Sequence, residues 1–366
     1  MELFSTVVMP KAKELVNQVL DSTFLSEGKV AKQFEQALSE QLGLCNPVCV
    51  NSGTSALHLA LLAVGVKAGD EVILPAQTFI ATALAVLYCG AKPVFADIDP
   101  KTGNLDLQSV YNKQTEKTKA IIAVHWGGYP ADLIDLDLFS FLYGIPIIED
   151  AAHALGAVYK GEPVGNGNWS SVTCFSFQAI KALTTSDGGA ICSGYTNIVN
   201  YVRRNRWFGI DRENDLPNEL GERQYTLNEI GYKYHMPDYC AALGLGNLDG
   251  FRVRLLWRIN TAHTYDAHFR NVPGVTLPDY KTDRKSAYWL YPILVENRHE
   301  FVRMMKARGI PVSVVHQRID KHPVCGGLQD LPGQAYFDEH QINLPIHWEL
   351  THEDIDAVIN AVKGGW

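Results

Sequence analysis

Up to about residue 195 the chain alternates short apolar runs with helical ones, and this alternation limits the fold more than any other feature. Val48-Cys-Val50, Glu71-Val-Ile-Leu74, Lys92-Pro-Val-Phe-Ala-Asp97, Ile121-Ile-Ala-Val124 and Pro146-Ile-Ile-Glu-Asp150 are short and rich in β-branched residues, which marks strands. Between them lie helical runs such as Ala56-Leu-His-Leu-Ala-Leu-Leu-Ala-Val64. Strands that are apolar along their whole length are buried on both faces. The pattern therefore predicts an α/β fold with a mostly parallel sheet covered on both sides. Functional residues of such a sheet gather at one edge.

Three stretches supply candidates for that edge. The strand Pro146–Asp150 ends in a carboxylate. Val172, Cys174 and Phe175 begin another strand, which leads to Lys181 in a segment too short and mixed for a regular element. Asp187-Gly-Gly189 then turns the chain into Ala190-Ile-Cys192. A lysine in an apolar, turn-bounded pocket can have a lowered pKa and condense with an aldehyde. A surface lysine on a loop fits this segment equally well when it is read alone. Asp150, thirty-one residues earlier, favours the pocket. A carboxylate there suits the protonated nitrogen of a pyridine ring, as in pyridoxal phosphate chemistry. In the third stretch, Asn51-Ser-Gly-Thr-Ser55 joins a strand to a helix, so the free N–H groups of the first turn can hold a phosphate. A plain N-cap at Thr54 or Ser55 is the alternative.

Ile148-Glu-Asp-Ala-Ala-His-Ala-Leu-Gly156, Phe175-Ser-Phe-Gln-Ala-Ile-Lys181 and Asp187-Gly-Gly189 together resemble the DegT/DnrJ/EryC1/StrS family of pyridoxal phosphate-dependent nucleotide-sugar aminotransferases. The resemblance runs from about Leu25 to the C-terminus. It implies a fold-type I aminotransferase, with a large cofactor-binding domain over residues 1–250 and a smaller C-terminal α/β domain over 251–366. It also implies residue roles. Lys181 would hold the cofactor aldehyde and then move a proton. Asp150 would pair with the ring nitrogen, and His153 would hydrogen-bond the phenolic oxygen or orient the ring. Gly53, Thr54 and Ser176 would hold the phosphate, in keeping with the family's Ser-Gly-Thr loop. Phe79 fits the position at which the family stacks an aromatic ring on the pyridine face, although a core phenylalanine fits there too. The segment Glu229-Ile-Gly-Tyr-Lys-Tyr-His-Met236 resembles one that crosses a two-fold axis to the partner's cofactor phosphate. The family often has asparagine where this chain has Lys233. A lysine can make that contact as a point charge. The implied assembly is a homodimer with shared active sites.

The implied reaction moves an amino group from glutamate, less often glutamine, to a keto group on a nucleotide-linked deoxysugar. Rival readings within the family are amination of a free cyclitol or another keto acceptor, sugar dehydration, and a non-catalytic cofactor-binding regulator. Lys181 argues against dehydration, since the dehydrating relatives carry histidine there. The intact lysine, aspartate and phosphate loop disfavour the regulator.

The remaining features exclude other classes. The formal net charge of −8 argues against a nucleic-acid surface. No apolar run is long enough to span a membrane, and no basic-then-apolar leader opens the sequence, so a cytoplasmic chain is expected. Seven cysteines, an odd number lying mostly in apolar elements, fit reduced buried thiols. Neither the cysteines nor the histidines have metal-site spacing. His125, at a strand end, faces the site or serves structure. Arg203-Arg-Asn-Arg206 is a solvated helix face or a diphosphate contact. Beyond residue 250 the expected elements are a long helix over 251–272, strands Trp289–Val295 and Ile310–Val315, helices Glu300–Arg308 and Glu353–Val362, and a loop from 316 to Ile342.

Overall fold

A computed structural model describes residues 1–212 and 217–366. Its centre is a seven-stranded sheet. The strands are β1 (Val48–Val50), β2 (Glu71–Pro75), β3 (Lys92–Ala96), β4 (Thr118–Val124) and β5 (Ile147–Asp150), then β8 (Val172–Ser176) and β9 (Gly189–Cys192). The short strands β6 (Val158–Tyr159) and β7 (Glu162–Pro163) lie between β5 and β8 in the chain. The spatial order is β1-β9-β8-β5-β4-β2-β3. Every pair is parallel except those made by β9, which runs against both β1 and β8.

The period of two along these strands assigns residues to opposite faces. Val72, Leu74, Ile122, Val124 and Ile148 enter the core that contains Leu57 and Leu61 of the helix Gly53–Ala63. Ile73, Ile121, Ala123 and Ile147 enter the core on the other face. The same alternation separates the last two residues of β5. Asp150 lies on the side of Ile148 and Glu149 on the side of Ile147. Asp150 is level with Val124 on one side and Cys174 on the other.

Two glycines let three segments converge at the carboxyl edge. A Cβ on Gly189 would lie 2.7 Å from the Ser52 carbonyl carbon and from the Phe175 oxygen. A Cβ on Gly53 would lie 2.9 Å from the Ser176 Cβ. The turn after β1, the end of β8 and the start of β9 thus touch backbone to backbone, as only glycine allows.

The chain beyond 250 forms the helix Phe251–Phe269 and an antiparallel sheet of β10 (Val275–Thr276), β12 (Tyr291–Val295) and β13 (Gln341–Leu344). The short strand β11 (Arg284–Lys285) pairs with β6. Helices Arg298–Ala307 and His352–Lys363 close a core around Tyr265, Phe269, Ile293, Phe301 and Val358. Two expectations fail in this part. Ile310–Val315 forms no strand and contributes only a bridge from Ser313 to Asn343. Pro311 has no N–H to give a ladder, and Val315 turns the chain at φ +59°. The expected loop up to Ile342 contains the helix Pro332–His340. Among the described residues no helix is long and apolar enough to cross a membrane.

A buried charge cluster fixes β1. Arg206 is buried, and its Nη1 donates to Glu35 Oε1 and to the Cys49 carbonyl, both at 2.6 Å. Its Nη2 lies 2.5 Å from Glu27 Oε1, and Glu35 Oε1 also accepts the Cys49 N–H at 2.8 Å. Arg206 is therefore no solvated charge, unlike one reading of the basic run. Glu35→Ala would leave the guanidinium with Glu27 and the Cys49 carbonyl, and the Cys49 N–H unpaired. The expected cost is about 3 kcal/mol, read from the urea midpoint at unchanged m-value. A shift equivalent to less than about 1 kcal/mol would contradict this account of the cluster.

Candidate active site

A cavity of about 380 Å³ opens at the carboxyl ends of β5 and β8. It brings together Gly53, Thr54, Phe79, Asp150, His153, Ser176 and Lys181, seven of the eight residues singled out from sequence. The eighth, Lys233, does not line it. That side chain is exposed, with Nζ 5.1 Å from the Trp207 ring centroid. Its backbone runs beside the phosphate-type loop, since Asn51 donates its N–H to the Tyr234 carbonyl at 2.7 Å and its Nδ2 to the Lys233 carbonyl at 3.3 Å.

Lys181 sits on the loop that links β8 to β9. The loop is closed by Phe177 N–H to Gly188 O at 2.8 Å and Thr185 N–H to Phe177 O at 2.9 Å. Lys181 is half-buried as a residue, and its amine is enclosed, 3.6 Å from the centroid of the Trp289 ring. Burial lowers its pKa to about 7, and the charge of Asp150 offsets only part of that. An amine poised there is half neutral near pH 7, so it can act as a nucleophile and as a base.

Asp150 is 6% exposed. Its Oδ2 accepts the Thr82 hydroxyl at 2.8 Å and its Oδ1 the Ala152 N–H at 3.2 Å. Thr82 Oγ1 is in turn 2.7 Å from Thr78 Oγ1. Among the described residues no cation lies within ion-pair distance of Asp150. Burial therefore raises its pKa, against the hydrogen bonds and the charge of Lys181.

The helix Gly53–Ala63 begins at this cavity. Its N-cap is Ser52, whose Oγ accepts the Ser55 N–H at 3.0 Å, so neither Thr54 nor Ser55 is the cap. The Gly53 and Thr54 N–H groups have no protein partner among the described residues, and both residues line the cavity. Two free donors at a helix N-terminus attract an anion.

The far wall is aromatic. The His153 ring stacks on Trp289 at 3.9 Å and 25°. The indole Nε1–H of Trp289 donates to the Ile180 carbonyl at 2.9 Å. His316 lies 5.7 Å from His153, and Phe79 lies 5.2 Å from His316. Burial, aided by the charge of Lys181, holds His153 well below 6.5 and brings His316 down to about 4. Both are neutral at pH 7, and His153 Nδ1 is buried without a partner. Phe79 precedes the helix Ala81–Tyr88 and is 54% exposed, so it is not a core phenylalanine.

The DegT/DnrJ/EryC1/StrS aminotransferase family model matches residues 8–363. The chain belongs to this family. It is therefore an aminotransferase with the fold-type I architecture. The UDP-4-amino-4-deoxy-L-arabinose–oxoglutarate aminotransferase of Shewanella sediminis is 31% identical, over 95% of this chain and 93% of that one. The solved sugar aminotransferase CalS13 from Micromonospora echinospora superposes with a TM-score of 0.93 at 34% identity, over the whole of both chains. Spr1654 from Streptococcus pneumoniae, solved in a PLP form, gives a TM-score of 0.90 at 28% identity, over 100% of this chain and 98% of that one.

The cavity also holds residues that no local pattern in the sequence marks. Trp289 and His316 come from beyond residue 250, and Thr78 and Thr82 support Asp150 from the segment after β2. No periodicity or motif marked them. The strand expected over Trp289–Val295 starts at Tyr291, so Trp289 lies in its approach. His125 takes the structural alternative. It is fully buried outside the cavity, with Nε2 2.7 Å from Glu149 Oε2 and Nδ1 accepting the Ala131 N–H at 3.0 Å.

In protein dialysed free of small molecules, Lys181 should titrate near pH 7. Mass spectrometry of lysine acylation against pH should show a midpoint there, and Asp150→Asn should move it lower by removing the only charge that supports the ammonium. Because the folded-state pKa lies below that of the unfolded lysine, the unfolded chain binds more protons between about 7 and 10.5. This group therefore adds stability as pH rises through that window. A midpoint above pH 9 would contradict the enclosed amine.

Proposed function

We propose that this aminotransferase binds pyridoxal phosphate in the cavity and moves an amino group from glutamate to a keto carbon of a nucleotide-linked deoxysugar. One observation carries the reading. An amine near neutrality, a buried carboxylate without a cation and two free helix N–H groups face one cavity. Those are the three anchors that a pyridine aldehyde with a phosphate arm requires, and the residues present fit the group.

When bound, the cofactor supplies an aldehyde carbon and an electron-withdrawing ring. Every other task falls to the chain. Lys181 would meet the aldehyde with its Nζ, and the same atom would take up and return a proton. Asp150, braced by Thr82 and Ala152, would give a protonated ring nitrogen the counter-charge it needs. The Gly53 and Thr54 N–H groups and the Ser176 hydroxyl would hold the phosphate. His153 has an unpaired nitrogen for the phenolic oxygen. Trp289 and His316 would wall off water, and Phe79 would cover the ring.

The acceptor class is supported by the relative whose name gives a UDP-linked aminodeoxysugar. The donor is supported by the oxoglutarate in the same name, which is the keto acid that glutamate leaves behind. We also take the chain to be a homodimer in which Lys233 serves the partner's phosphate. Phe208 and Ile230, 40% and 81% exposed near it, are apolar surface for a second copy to cover. A division at residue 250 is supported by the separate apolar core from Ala262 to Val362. The seven free thiols suit the reducing cytoplasm.

The direct test incubates the enzyme with glutamate and a panel of keto acceptors and follows 2-oxoglutarate and the aminated product. Nucleotide-linked keto sugars should turn over. Turnover of free cyclitol ketones with none of the nucleotide-linked acceptors would overturn the substrate class. Asp150→Asn should lower kcat by several orders of magnitude, whereas a loss of only a few-fold would remove Asp150 from the ring nitrogen. Shared sites are tested by mixing Lys181→Ala with Lys233→Glu subunits. Each variant should be inactive alone. Exchange should restore activity, because one site of the mixed dimer then carries both defects and the other carries neither. Restoration of nothing, with exchange shown by mass, would place Lys233 in its own chain's service.

A further inference from the structure

A second, much smaller cavity also borders Lys181, outside the site described above. Ser5 of the N-terminal segment, Thr184 of the lysine loop, Asn247, Arg254 and Arg258 line it. Its volume is about 10 Å³, room for one water-sized body.

Its chemistry is one-sided. Arg258 is 7% exposed, and its Nε has no hydrogen-bond partner. Among the described residues no carboxylate pairs with it, and the charge that acts on it is Arg254, of the same sign. Arg254 is satisfied by carbonyls, through Nη1 to Asp249 O at 2.7 Å and Nη2 to Asn247 O. Asn247 is already engaged, since Oδ1 accepts the Met9 N–H at 2.9 Å and Nδ2 donates to Thr184 O at 3.0 Å. Thr184 Oγ1 donates to Phe177 O at 3.3 Å and accepts the Ser186 N–H at 2.9 Å. The Ser5 hydroxyl is sealed from solvent and unpaired. What remains is a guanidinium N–H and a hydroxyl, both able to donate, beside two positive charges. A buried guanidinium without a counter-charge is costly.

We infer that this cavity is a halide site, in which a chloride ion held by Arg258 and the Ser5 hydroxyl ties the N-terminal segment to the helix Phe251–Phe269 and the Lys181 loop. A carboxylate or phosphate is too large for the space. A water would meet the donors and could return a hydrogen to the Ser5 oxygen, but it would leave the two guanidinium charges without an anion. The tie bears on the active site through the same segment. Phe4 stacks on Trp289 at 5.3 Å and the Glu2 carbonyl is 3.0 Å from His347 Nε2, so anchoring Ser5 steadies the indole beside the lysine amine.

Two experiments on the holoenzyme decide it. Crystals soaked in sodium bromide should give an anomalous peak between Arg258 and Ser5, and ordinary water density there without such a peak overturns the site. In solution, chloride should raise Tm over gluconate at equal ionic strength, by about 2 °C for each tenfold step above its Kd. Ser5→Ala should weaken that increment and Arg258→Gln should abolish it. Equal Tm in both salts, or an unchanged increment in Ser5→Ala, also overturns it. The wild-type bromide map decides the matter even if Arg258→Gln fails to fold.

Discussion

Asp150 is a carboxylate sealed at the end of a central strand, and the rest of the site is arranged around the cost of putting it there. Two hydrogen bonds reach it, from the Thr82 hydroxyl and the Ala152 N–H. They leave its charge without a counter-ion, so burial pushes the carboxyl toward neutrality. The same burial pushes Lys181 toward neutrality from the other side. If the amine sat closer to Asp150, the two would settle as an ion pair and the lysine would lose its nucleophilic form. The loop between β8 and β9 instead presents Nζ to the face of Trp289. In the proposed function, a ring that brings a protonated nitrogen to Asp150 and an aldehyde to Lys181 relieves both costs at once.

The sheet makes this arrangement possible. The edge where β1, β8 and β9 meet needs glycine at 53 and 189, because the Ser176 Cβ and the Ser52 and Phe175 backbone lie where their Cβ atoms would go. That close approach brings the open N–H groups of the helix Gly53–Ala63 to the same cavity as Lys181. The buried pairing of Arg206 with Glu35 and Glu27 then holds β1 in register from outside the cavity. A chain of small backbone constraints thus carries the position of a phosphate-type loop to a lysine more than 120 residues away in sequence.

What could be read from the sequence followed from what local pattern encodes. Apolar strands with a period of two identify a two-sided sheet, and strand ends such as Asp150 or turn-bounded loops such as that of Lys181 stand at its functional edge. Side chains that arrive from distant segments leave no such mark. Trp289 belongs to the approach to β12, where Tyr288 takes a positive φ of 45°, and His316 follows the turn at Val315. Their roles come from tertiary packing alone. The alternative of a plain cap at Thr54 or Ser55 fails because Ser52, two or three residues earlier, is an equally competent cap, and only the helix start chooses among them. The strand expected at Ile310–Val315 had the right composition, but Pro311 cannot join a ladder.

The central claim is that Lys181, facing Asp150 across this cavity, is the residue to which the cofactor aldehyde attaches. Borohydride reduction of the yellow holoenzyme, followed by proteolysis and mass spectrometry, measures this directly. The account predicts a single phosphopyridoxyl adduct, on the peptide that carries Lys181, with Lys233 and the remaining lysines unmodified. An adduct on another lysine, or cofactor released unbound after reduction, would contradict it.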